Sequence, residues 1–228
     1  MTSYLLDAAT IETLLDELND ELVAWDVLGE LYIVGGAAMT LTYAHRSATD
    51  DIDGLFGPEE TIYDAMDEVA RRHRLDPGWL NNQVAVSRYL PDGVPGGDLE
   101  AIVLREPVDA SSGLRILIAS PRYLLAMKLL AARDIRDQDD VNILVRSMGL
   151  TSVDQAREVF EDLYLGREMG RNAEAMVRHA LQTKSPVVAL GSRVVPAGRW
   201  SRCGATTSAG NPCSRLVRPG TKCWQHRW

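Results

Sequence analysis

LYIVGGAAMTLTYAHRSATDDIDGLF, residues 31–56, is the stretch on which the reading of this chain turns. Leu31-Tyr32-Ile33-Val34 is short, apolar and partly β-branched, as a buried strand is, and Gly35-Gly36 stops it. Ala37 to Ala44 then has helical character, so the order is strand, glycine turn, helix. Asp51 to Phe56 alternates acidic with apolar residues before Gly57-Pro58 ends it, which predicts a second strand. On such a strand the side chains of Asp51 and Asp53 leave the same face, roughly 6 to 7 Å apart. Two carboxylates that close repel, and a hard divalent cation relieves the repulsion. Mg²⁺ held by one or two carboxylates plus substrate phosphates is the usual arrangement for phosphoryl and nucleotidyl transfer. The glycine turn supplies the complementary half, because its backbone N–H groups can approach a triphosphate at a helix N-terminus. An isolated Asp-x-Asp is more often a solvated strand edge or a turn; the strand, glycine turn and helix ahead of it make this pair informative.

Upstream, Thr10 precedes a leucine-rich stretch, Ile11 to about Trp25, with apolar residues at 11, 14, 15, 18 and 22, the spacing of one helical face. Downstream, a second amphipathic helix runs from about Glu59 to His73, with acids in its first turn and Arg71 and Arg72 in its last. Asp76 to Gly97 is dense in Pro, Gly and Asn and reads as loops, with a short strand around Val84 to Tyr89. Leu99 to Leu104 and Leu114 to Ile118 read as strands. Ser120-Pro121 is a helix start, an N-cap hydroxyl followed by proline at the first helical position. That helix runs to about Arg133, and another covers Gln138 to Met148. Ser152 with Gln155 makes a capping box for a helix through about Tyr164, and a last helix spans Arg171 to Gln182.

The segment GGAAMTLTYAHRSATDDID, Gly35 to Asp53, resembles the signature of the minimal polymerase-beta-like nucleotidyltransferases: a Gly-Gly or Gly-Ser turn, a spacer, then Asp-x-Asp. Within that superfamily it is most similar to the AbiEii and MenT-type toxin branch, in which an Arg and a Thr shortly precede the acidic pair, here Arg46 and Thr49. LLAMKLLAARDIRDQDDVNILV, Leu124 to Val145, resembles that branch's second block, Lys-Leu followed by a basic residue and an Asp-x-x-Asp segment. The resemblance implies that Lys128 contacts nucleotide phosphates, that Arg133 supports them, and that Asp137 or Asp140 fills the later acidic role. Read without it, Lys128 is a surface lysine and Asp137, Asp139 and Asp140 are helix-start acids favoured by the macrodipole. On one continuous helix Lys128 and Arg133 would not share a face, whereas Arg133, Asp137 and Asp140 would; a break near Asp134 to Asp137 would change that. Polymerase-beta-type enzymes carry a third metal carboxylate on a later strand, where this chain offers only Asp98 and Glu100. His45 and His73 stand alone near helix ends and read as surface residues.

The net charge of −8 conceals a division. Of the 24 Lys and Arg, eight lie beyond Gln182 and none of the 32 acids does, which leaves a body of −16 and a tail of +8. An acidic body resists nonspecific nucleic-acid binding, and the basic tail is the part suited to phosphate. All 3 cysteines lie in the tail, an odd number that argues against a disulfide framework. Cys203, Cys213, Cys223 and His226 form Cys-x9-Cys-x9-Cys-x2-His, a tetrahedral zinc set in a segment with too little apolar core to fold unaided. The segment resembles a zinc-ribbon-like tail. With all four positions filled by protein, such a zinc is structural. The alternative is three free thiols. Nearby bases with Trp200, Trp224 and Trp228 suit nucleic-acid contact as well as they suit a solvated basic knob.

These observations set the expectations. The fold class is α/β in the α+β sense, a small mixed β-sheet flanked by helices as in the nucleotidyltransferase fold, with a helical C-terminal half. The domain spans residues 1–182, a linker 183–200, and a zinc-binding tail 201–228. No apolar run reaches the roughly 18 residues of a membrane span, and the N-terminus lacks a secretory signal, so a cytoplasmic setting is expected. The function expected is Mg²⁺- or Mn²⁺-dependent transfer of a nucleotide from an NTP to an acceptor. The family resemblance implies RNA such as a tRNA 3′ end, and with it a toxin role and a cognate antitoxin. The alternatives are a decayed transferase scaffold whose zinc tail binds nucleic acid, and a transferase acting on a small molecule or protein side chain.

Overall fold

The computed structural model describes residues 5–43, 48–86, 89–91, 98–107, 112–183, 194–199, 201–202 and 216–217, the last three ranges and residues 86, 98–100 and 134–136 by their backbone alone. The fold is mixed α/β. Its sheet is built from β1 (Gly29–Ile33), β2 (Ile52–Gly57), β3 (Leu80–Asn81), β4 (Asp98–Arg105) and β5 (Leu114–Ala119) in the order β3-β2-β1-β5-β4, with β6 (Val194–Arg199) added along β4. β1 lies inside the sheet, antiparallel to β2 and parallel to β5, and every one of its residues is buried. A strand with partners on both edges and cover on both faces needs a continuous apolar run, which is what Leu31-Tyr32-Ile33 provides.

β1 ends where Gly35 takes φ +64°, and α2 (Gly35–Thr42) starts there, two residues earlier than expected. Gly54 answers a different demand. A Cβ at this position would meet the Tyr32 carbonyl oxygen at 2.8 Å, so glycine allows β2 to close on β1 immediately after the acidic pair. α1 (Ala8–Ala24) buries Ile11, Leu14, Leu15, Leu18 and Leu22, the periodic positions of the sequence. Its N-cap is Asp7, whose Oδ1 accepts from the Thr10 N–H at 2.8 Å; Thr10, expected as the start, lies in the first turn. α3 (Glu59–His73) follows β2 and packs on α1 through Ile62, Ala65, Met66 and Val69.

Between α3 and β4 the strand expected at Val84 to Tyr89 is not found among the described residues: Gln83–Val86 forms the one-turn helix α4, and the two-residue β3 lies just before it. Its anchor is Trp79, buried, with its indole N–H donating to the Met66 carbonyl at 3.3 Å and its own carbonyl accepting from Ile52 N–H at 2.7 Å.

The C-terminal half is helical. α5 (Pro121–Ala131) begins at the Ser120 cap, whose hydroxyl accepts from Tyr123 N–H. It ends at Ala132, which adopts the left-handed conformation with φ 38°, and Arg133 in extended geometry opens α6 (Asp134–Ser147). α7 (Val153–Leu163) and α8 (Arg171–Gln182) complete the body, with α8 packed on α6 and α7 on α5. Within the range expected to be a linker, β6 pairs antiparallel with β4. Beyond it only the short pair β7 (Ser201–Arg202) and β8 (Leu216–Val217) is described. No helix among the described residues is long and apolar enough to cross a membrane.

Candidate active site

The sheet order brings β2 out beside β1 with its first residues level with the end of β1, because Ile33 pairs with Gly54 and the Val34 N–H donates to the Asp53 carbonyl at 2.9 Å. Asp53 is therefore adjacent to the β1–α2 turn. Its Oδ2 lies 3.3 Å from where a Cβ on Gly35 would stand, so this carboxylate occupies the concavity that the missing side chain leaves open. Asp51 sits at the bend just before β2 rather than within it, as the sequence pattern had placed it. Both carboxylates are partly buried.

Burial pushes the Asp51 carboxyl above its ordinary range, and the charges of Asp53 and Asp50 push it further; a hydrogen bond from the Asn81 amide, Nδ2 to Oδ2 at 3.3 Å, works in the opposite direction. Asp51 and Asp53 are thus close enough for the charge of one to bear on the other. Such a pair of hard oxygen donors, crowded and carrying excess negative charge, suits Mg²⁺ or Mn²⁺. Among the described residues no group of three or more His, Cys, Asp and Glu side chains is assembled for a metal.

α2 begins with no side-chain cap, so the leading amides at Gly35 and Gly36 are not satisfied by one. Together with the helix dipole they make the end nearest Asp53 favourable to an anion. Of the two residues expected just ahead of the acidic pair, Thr49 is buried and exchanges backbone hydrogen bonds with Leu6 at 2.7 and 2.9 Å. Arg46 lies outside the described residues, as does His45.

The second block arrives through the break at Ala132. That break lies just ahead of Asp134 to Asp137, where a break would change the face relations of a continuous helix, and it brings Lys128 to the two acids. Lys128 on α5 reaches Asp137 at 2.8 Å and Asp140 at 2.7 Å on α6, and all three side chains are largely buried. Asp137 also accepts from the Arg133 N–H at 3.0 Å, holding the first turn of α6 in place of an N-cap side chain. Lys128 is thus committed to two carboxylates, not presented as a surface lysine.

Arg133 is an exposed cation of this block. Its guanidinium lies over the Tyr89 ring, 5.4 Å from the centroid, and its pKa is held up first by the Tyr89 hydroxyl and then by the charges of Asp137 and Asp53. The charge of Asp53 is the weakest of these influences, so Arg133 lies within electrostatic reach of the acidic strand, 80 positions away in the chain.

Other expected residues fall elsewhere. β1 and β5 intervene between β2 and β4, so the backbone at Asp98 and Glu100 is about 14 Å from the acidic strand at ordinary strand spacing. Beside the acidic pair the adjacent strand offers Asn81, in register with Asp53, which the sequence pattern did not single out. His73 pairs with Glu17 on α1 at 2.6 Å, away from this site. Cys203, Cys213, Cys223 and His226, with Trp200, Trp224 and Trp228, lie outside the described residues. No protein family, curated protein or solved structure matches the chain.

Proposed function

We propose that this chain is a metal-dependent nucleotidyltransferase with the nucleotidyltransferase fold, moving a nucleotide from an NTP to an acceptor hydroxyl, with RNA as the favoured acceptor. The observation that carries the proposal is the position of the Asp53 carboxylate. It lies against Gly35 at the uncapped start of α2, two residues from Asp51 in the chain and within electrostatic reach of Arg133. A cation-binding pair and an anion-binding helix end within one concavity are the two halves that a metal–triphosphate substrate requires.

Asp51 and Asp53 would hold the Mg²⁺ or Mn²⁺, which when bound neutralises phosphate charge and lowers the pKa of an acceptor hydroxyl. The amides of Gly35 and Gly36 orient the triphosphate. Arg133, pre-positioned by Tyr89, meets phosphate charge directly, whereas Lys128 acts from behind by fixing Asp137 and Asp140 and so the start of α6. Positioning and electrostatic stabilisation are what phosphoryl-group chemistry chiefly needs from a protein.

The test is incubation of the full chain with each α-labelled NTP, Mg²⁺ or Mn²⁺, and total RNA, beside a double variant Asp51→Ala/Asp53→Ala. Label should pass to RNA with the native chain and not with the double variant. Transfer that survives the double substitution, or no transfer to RNA, protein or small-molecule acceptors under any of these conditions, would overturn the proposal.

A further inference from the structure

Trp79-Leu80-Asn81-Asn82-Gln83 is built with a purpose that its polar composition hides. Trp79 and Leu80 are buried and tie the segment to Met66 and to β2. The two asparagines that follow point in different directions. Asn82 faces α3: its Nδ2 donates to Glu59 Oε1 at 2.7 Å and its Oδ1 accepts from the Tyr63 hydroxyl at 2.7 Å. Asn81 faces the acidic pair, with Nδ2 donating to Asp51 Oδ2 at 3.3 Å.

The amide of Asn81 is also oriented. Its Oδ1 accepts from the Gln83 N–H at 3.1 Å, an Asx turn at the entry to α4, and that bond leaves only the NH₂ end to face Asp51. The flip of the amide is therefore determined by the backbone and not by the carboxylate it serves. Asp51 lies at a bend, outside the regular ladder that fixes Asp53, and the Asn81 amide on the neighbouring strand is a side chain that holds its carboxylate. From this geometry we infer that Asn81 is a positioning residue for the divalent cation of the transfer reaction: it holds the Asp51 carboxylate in the conformation that binds metal. The inference rests on the metal role of Asp51 and Asp53 proposed above. Hydrogen-bonded partners of metal-ligating carboxylates change metal affinity about 10- to 100-fold when removed.

Mn²⁺ binding to the full chain without nucleotide, followed by electron paramagnetic resonance of the free ion, reads this directly. Four variants separate the possibilities: Asp51→Ala, Asn81→Ala, Asn81→Ser and Asn82→Ala. A serine at 81 can still accept from Gln83 N–H but is too short to reach Asp51, so it preserves the turn where alanine does not. Asn81→Ala and Asn81→Ser should each weaken Mn²⁺ binding about 10- to 100-fold, with a native melting transition retained at least by the serine variant. Asn82→Ala should lower the melting temperature and leave Mn²⁺ affinity within about twofold, because its partners belong to α3. If Asp51→Ala abolishes binding while both Asn81 variants bind as the native chain does, the role of Asn81 is wrong and the metal pair stands. If Asp51→Ala binds as the native chain does, the metal pair itself is wrong.

Discussion

Asp51 carries the clearest sign that this site is arranged for something other than stability. Its folded-state pKa lies above the ordinary 3.8, first through burial and then through Asp53 and Asp50. The folded chain therefore holds that proton more tightly than the unfolded chain does. The associated stability is fully present below pH 3.8 and is lost as pH rises through the folded value. At neutral pH the ionised carboxylate opposes folding. Asp51→Asn should accordingly raise the melting temperature at pH 7, by about 2–4 °C for each kcal/mol of repulsion removed, and the gain should shrink in melts run at progressively lower pH. An unchanged or lowered melting temperature at pH 7 would show that the repulsion is already relieved in the folded chain. Improved stability at the expense of metal binding is the pattern expected where a strained site exists for function.

At the scale of elements, the junction between α5 and α6 decides whether the second block forms a cluster. Lys128, Asp137 and Asp140 are all largely buried, and removing the cation leaves two buried carboxylates uncompensated. Lys128→Met should cost about 3–5 kcal/mol in urea unfolding, and neutralising both acids in the same chain should recover most of it. A loss below about 1 kcal/mol, the level of an exposed pair, would mean the cluster is open to water. The turn itself is strained at Ala132, φ 38°. A left-handed residue with a Cβ costs about 1–2 kcal/mol, partly offset by the greater unfolded-state freedom of glycine, so Ala132→Gly should stabilise by up to about 1 kcal/mol in the same experiment.

These elements also show what was legible beforehand. α3 and α8 match their expected ranges because amphipathic period, acids at the start and bases at the end of α3 agree with one another. The Ser152 cap was legible from the sequence, although the Gln155 side chain reaches back to the Thr151 N–H at 2.7 Å and not to that of Ser152. Asp51 and Asp53 read as i and i+2 on one strand, and the local pattern could not show that Asp51 falls at the bend before β2. The convergence of Lys128 on Asp137 and Asp140 could not be read, since it depends on a left-handed turn at an alanine, a residue that gives no breaker signal. β3 escaped because two residues show no period, and Val84 to Tyr89 misled because the short apolar run Val84-Ala85-Val86 fits a helical turn as well as a strand. Asn81 had no signal of its own: its neighbour Asn82 has the same side chain and serves α3.

At the scale of the whole molecule, charge is divided between a body of −16 and a tail of +8 beyond Gln182. If RNA is the acceptor, the tail is the part that meets its backbone, and deleting residues 200–228 removes Arg202, Arg215, Arg218, Lys222 and Arg227. RNA affinity of the shortened chain should fall, and the slope of log affinity against log salt should become shallower by about 0.7 for each phosphate that the tail no longer neutralises. Filter-binding titrations at several salt concentrations measure both. An unchanged slope would assign RNA binding to the acidic body instead.

The position of β1 between β2 and β5 has a consequence for how the protein is made. A ribosome releases the chain from its N-terminus, so the two aspartates emerge long before Leu114–Ala119 and longer still before α6. Until the later strand arrives, β1 lacks one of its two neighbours and the frame beneath Asp53 is half built. Nascent chains stalled before residue 114 should therefore leave the amides of β1 open to hydrogen exchange, and protection should come only when the later strand has left the exit tunnel.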